Sequence, residues 1–106
     1  MSSFKDREKA FENKYKHDED LRFRVHVRRD RMLGFWIAEQ IGKEGAEAEE
    51  YAKEVVRADM KLPGDDDVVE KVMADLQEAG VDLSEHRLRR KLEELEQEAK
   101  QQVMKE

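Results

Sequence analysis

From Val81 to Glu106 the chain reads VDLSEHRLRRKLEELEQEAKQQVMKE, with apolar residues at Leu88, Leu92, Leu95, Ala99 and Val103 in steps of three or four. At about 100° of rotation per residue those steps keep all five side chains on one face of an α-helix and turn the charged residues between them to water. A strand would need alternation with period two. The same spacing recurs upstream, at Val25, Met32, Leu33, Trp36, Ile37 and Ile41, then at Ala48, Tyr51, Ala52, Val55 and Val56, then at Val69, Val72, Met73 and Leu76. Charged residues make up 45% of the chain and aromatics 7%, with a single proline, a composition that suits long helices with solvated faces and not a sandwich or barrel. The fold class expected is all-α.

The punctuation agrees with the stripes. Gly42 and Gly80 stand where two helices should stop, and Pro63 with Gly64 breaks the chain at KLPGDDD. Asp65 to Asp67 should cap the following helix, and Ser84 the last one. The segment LRFRVHV alternates apolar and charged residues and read alone signals a strand. No second convincing strand exists to pair with it, so it is assigned to the first long helix, from near Asp20 to Ile41. Gly34 inside that helix costs about 1 kcal/mol relative to alanine, which points to a close packing contact. Four amphipathic helices joined by short turns predict a four-helix bundle over residues 20–106.

Residues 1–19 differ. Their apolar content is mainly three rings, Phe4, Phe11 and Tyr15, in a segment otherwise dense in charge. On a helix, Phe11 falls roughly 20° to one side of Phe4 and Tyr15 roughly 20° to the other, a stripe one ring wide. Such a stripe buries too little to offset the ordering of its backbone. A merely solvated tail needs no aligned rings. The segment is therefore read as a disordered or labile arm that becomes helical when it docks in an apolar groove of another protein.

Most chemistry is excluded by inventory. The chain has no cysteine, no glycine-rich phosphate loop, and none of the GxSxG or HExxH signatures, so an enzyme is not expected. His17, His26 and His86 lack ligand spacing, and the aspartates at 65 to 67 lack the rest of a calcium loop, so neither a metal nor any other cofactor is expected. No apolar run is long enough to cross a membrane and no signal-peptide core is present, which places the chain in the cytoplasm. The net charge of −6 argues against nucleic acid as partner. One cluster opposes that average, the five arginines Arg22, Arg24, Arg28, Arg29 and Arg31. Guanidinium forks match phosphate oxygens, so an anion or nucleotide site is one reading, and pairing with the acidic faces of the other helices is the plainer one. Trp36 lies within an apolar stripe and is expected in the core.

The opening FKDREKAFENKYKHDEDLRF, followed by VRRDR, LGFWIAEQIG, EEYAKEVVRAD and AGVDLSEHRLRRK, resembles the zeta subunit of alphaproteobacterial F-type ATP synthases almost end to end. Val27 and the KLPGDDD loop depart from the family pattern. The resemblance implies a small inhibitor of the ATP-hydrolysing head: a helical bundle whose N-terminal arm enters the catalytic interface between alpha and beta subunits, near the gamma shaft, and blocks rotation in the hydrolysis direction. On that reading Phe4, Phe11 and Tyr15 are apolar anchors and Arg7, Glu8, Lys9, Glu12 and Lys14 are polar contacts at the rim. The protein would sit at the inner membrane only through the synthase. The competing readings are an anion- or nucleotide-binding helical regulator and a general helical adaptor.

Overall fold

A computed structural model of the chain describes residues 3–59 and 64–106. Among these residues there are five helices and no strand: α1 (Ser3–His17), α2 (Glu19–Gln40), α3 (Gly45–Asp59), α4 (Asp66–Glu78) and α5 (Glu85–Met104). The all-α expectation holds, and LRFRVHV is helical. The helix count is five where four are expected, because the N-terminal segment is itself a helix. Pro63 of the interhelical break lies outside the described residues.

The long α2 is the spine, packing against each of the other four helices. Its buried face carries Leu33, Ile37 and Ala38 into a core completed by Ala48, Tyr51 and Val55 of α3, Val68, Val69, Val72 and Leu76 of α4, and Leu88, Leu92 and Leu95 of α5. Val68 joins the stripe predicted for α4, and Trp36 lies at the edge of the core, half-buried, with the Lys91 ammonium 5.1 Å from its ring centroid. A second, smaller cluster of Leu21, Val25, Ala99 and Val103 lies toward the other end of α2.

Local chemistry sets the helix ends. Gly42 (φ 80°) and Gly80 (φ 74°) adopt the left-handed conformation that closes α2 and α4. The paired bonds from Lys43 N–H to the Ala38 carbonyl and from Val81 N–H to the Leu76 carbonyl complete the same motif at each. Ser84 caps α5, its hydroxyl accepting from the Arg87 N–H at 3.1 Å. Asp65 occupies the N-cap position of α4 but makes no side-chain cap, contrary to the sequence reading. Its carboxylate is taken instead by Arg29, at 2.8 Å from Nη2. Gly34 has the close packing its position suggests: a Cβ built there would lie 2.5 Å from the Ala52 Cα.

Arg29 and Asp30 are both 2% exposed, burial that a charged stretch of sequence gives no sign of. The Arg29 guanidinium reaches Asp30, Asp59, Asp65 and Glu96 at 2.8–3.2 Å, tying α2 to α3, to the start of α4 and to α5. Burial works against its charge, but Asp30, Asp65 and Asp59 outweigh that and hold its pKa above the ordinary value. Four carboxylates around one cation leave excess negative charge, and burial followed by a hydrogen bond to Asp59 pushes the Asp30 carboxyl up to about 9. A proton on Asp30 gives it a donor, and Asp59 Oδ1 is a buried acceptor with no other partner among the described residues.

Candidate functional site

The N-terminal helix, α1, meets the rest of the molecule without fully burying any of its own 15 residues. Its stripe of rings is divided along its length: Phe4 is 49% exposed, while Phe11 and Tyr15 are half-buried on the rim of the Leu21, Val25, Ala99 and Val103 cluster. Leu21 supplies part of that seat, and sequence periodicity alone does not single it out, because it falls just past the expected end of the arm.

Polar contacts refine the seat. The Phe11 and Tyr15 rings stack with centroids 6.3 Å apart, and the Lys100 ammonium lies 4.3 Å from the Tyr15 ring centroid while pairing with Glu12 at 3.3 Å. Tyr15 Oη is 3.2 Å from His26 Nε2, and His26 Nε2 in turn is 3.6 Å from Glu96. Partial burial, then the Glu96 charge, raise the Tyr15 pKa. The His26 hydrogen bond, with help from the Arg29 charge, holds Glu96 below the usual carboxylate range. Neither His26 nor Lys100 could be placed against Tyr15 from sequence, since one lies on α2 and the other on α5.

A single residue joins α1 to α2. Asp18 is extended (φ −104°, ψ 106°), and its side chain caps α2 by accepting from the Leu21 N–H at 3.1 Å. Arg22 reaches back to the Tyr15 and Lys16 carbonyls at 3.1 and 2.7 Å, satisfying the open end of α1. The two helices are therefore separate elements with one extended residue between them.

Of the predicted rim residues, Arg7, Lys9 and Lys14 are exposed, whereas Glu8 and Glu12 are partly covered. The structure does not gather all five arginines: Arg24, Arg28 and Arg31 line one groove, while Arg22 and Arg29 are drawn elsewhere. Arg29 is consumed by the buried carboxylates, Arg22 caps α1, Arg24 and Arg28 bind Glu106 at 2.9 and 2.6 Å, and Arg31 lies 5.1 Å from the Phe35 ring centroid. Among the described residues no cluster of histidine and carboxylate side chains could hold a metal, and no helix is long and apolar enough to cross a membrane.

A solved structure, a solution NMR structure, is similar to this chain at 41% identity and a TM-score of 0.72, with the alignment covering 80% of this chain and 96% of that one. No curated protein matches the chain significantly. The family profile described as ATPase inhibitor subunit zeta matches residues 1–102, which takes in α1 to α4 and nearly all of α5. The chain belongs to the ATPase inhibitor subunit zeta family.

Proposed function

We propose that this chain inhibits ATP hydrolysis by an F-type ATP synthase through α1, which leaves its seat and inserts as a helix at the catalytic interface of alpha and beta subunits near gamma. The observation that carries the reading is a complete helix with no buried residue, held by two half-buried rings and joined to the bundle at one extended residue, Asp18. Family membership supports the inhibitory role, and the weak seat supports α1 as the part that acts.

The energetics favour exchange. Fully burying a phenylalanine is worth about 1.5–3 kcal/mol, and Phe11 and Tyr15 realise part of that at home while Phe4 realises little. The Glu12–Lys100 pair is partly exposed, and pairs of that kind add at most about 1 kcal/mol. A cleft that encloses all three rings thus offers more than the bundle does. Because α1 is already helical, it loses less of the roughly 2–5 kcal/mol that folding on binding costs a disordered segment. Arg7, Glu8, Lys9, Glu12 and Lys14 would then meet the rim of the cleft. Selective stalling requires that one rotational state of the head fit α1 better than the others, since a ligand shifts an equilibrium only by its differential affinity. The bundle remains outside as a stop, and the protein is held in the cytoplasm at the inner membrane only through the synthase.

The deciding measurement is ATP hydrolysis by the cognate ATPase with added protein. Removal of residues 1–17, which spares the Asp18 cap, and the substitution Phe11→Ala should each relieve inhibition while circular dichroism shows the bundle still folded. Full inhibition by the shortened chain would refute the assignment.

A further inference from the structure

Phe4 and Phe23 are the two large apolar side chains that stand exposed among the described residues, and α1 accounts for only the first. Phe23 is 56% exposed and opens a groove of about 480 Å³ between α2 and the C-terminal part of α5, floored by Val27, Met32 and Phe35. Arg24, Arg28 and Arg31 follow one another along its wall at four- and three-residue spacing, one helical turn apart. The single acidic residue lining the groove is Glu106. Its carboxylate bridges Arg24 Nη2 at 2.9 Å and Arg28 Nη2 at 2.6 Å. On a chain of net charge −6, this strip combines apolar surface with locally concentrated positive charge.

We infer that the groove is a second docking surface, which receives an acidic amphipathic helix of the ATPase head and holds the bundle in place while α1 inhibits. The inference rests on the proposed role of the chain as an inhibitor of that head. Charge complementarity identifies the occupant. A helix laid along α2 with carboxylates one turn apart meets the arginine ladder in the way Glu106 already meets its first two rungs, and an apolar residue on the same face covers Phe23 and Val27. Nucleic acid would match the arginines as well, but a phosphate backbone offers no apolar side chain to cover Phe23 and Val27. Two docking points on one chain add by effective concentration, so the groove raises affinity without itself blocking rotation.

The test is a titration of the cognate ATPase head with the full chain carrying Phe23→Ser, Arg24→Glu, or both, reading affinity separately from maximal inhibition. Both side chains are largely exposed, so the fold is retained, as a thermal melt will verify. The expected result is at least about tenfold weaker binding for each variant, as for a truncated interface anchor, with unchanged inhibition at saturation. Phe11→Ala gives the converse pattern, losing inhibition at saturation, so failure of the α1 reading and failure of the groove are separable. A photo-crosslinker at position 27 should join a glutamate- or aspartate-rich helix of the head. Unchanged affinity of both variants, crosslinking only to a second copy of the chain, or crosslinking to a basic segment would each overturn the inference.

Discussion

Replacing Gly34 with alanine should destabilise this protein, although in most helices the same change stabilises. In a helix interior, alanine is worth about 1 kcal/mol more than glycine, so the intrinsic effect is favourable. Against it stands the geometry of the α2–α3 seam: the added Cβ lies 2.5 Å from the Ala52 Cα, 3.0 Å from its Cβ and 3.3 Å from its nitrogen. The nearest atom is backbone, so no rotamer change relieves the clash. The two helices must separate by roughly 1 Å, which forfeits a quarter to a half of the dispersion attraction at each pair of atoms across the seam. That seam includes Leu33, Ile37, Ala38, Tyr51 and Val55, all buried. Overpacking of this kind costs about 1–3 kcal/mol and occasionally more, and with a backbone clash the upper end applies, leaving a net loss of about 2 kcal/mol. In a domain of this size that corresponds to a fall of about 10 °C in Tm, measurable by circular dichroism. Adding Ala52→Gly should not rescue it, because the new methyl still strikes the main chain at position 52. Only the 3.0 Å contact with the Ala52 Cβ disappears, so the double-mutant cycle should show a coupling of about 0.5–1 kcal/mol, short of the full loss. A Tm for Gly34→Ala equal to or above that of the parent would refute the account of the seam.

Arg29→Met should cost about 3–5 kcal/mol in urea unfolding, because it leaves Asp30, Asp59, Asp65 and Glu96 facing one another without their shared cation. Stability should also fall as pH rises toward the alkaline side of neutrality. The Asp30 carboxyl is raised from 3.8 to about 9 on folding, so its contribution is complete below about pH 4 and is lost progressively as pH climbs through about 9. Asp30→Asn, which donates to Asp59 without a titrating proton, should flatten that slope, and an unchanged slope in pH-dependent melts would count against the shared proton. Glu96 acts in the opposite sense, since its lowered pKa gives stability that is present above its ordinary value of 4.5 and drains away as pH falls below it. Tyr15→Phe removes the hydroxyl that meets His26 at 3.2 Å, worth about 1 kcal/mol, and should speed hydrogen exchange in α1 about fivefold with α3 and α4 unaffected.

How far the sequence reaches is clear from particular residues. The stripe from Leu88 to Val103 and those of α3 and α4 were legible because helical periodicity is a local property, set by rotation per residue and visible in any short window. The Gly42 and Gly80 stops and the Ser84 cap were legible for the same reason. The three aligned rings of α1 could also be seen, together with the scarcity of apolar neighbours that keeps every residue of that helix from full burial.

What only the tertiary structure decided involves residues distant along the chain. Arg29 looks like any surface arginine until α3, α4 and α5 bring Asp59, Asp65 and Glu96 around it. The same convergence takes Asp65 from its expected capping role. Whether the rings of α1 rest on the bundle was equally beyond local pattern, since their seat combines Leu21 and Val25 of α2 with Ala99, Lys100 and Val103 of α5. Periodicity shows which side of a helix is apolar. Which charge ends up buried, and which ring finds a partner, depends on the neighbours that packing brings to that side.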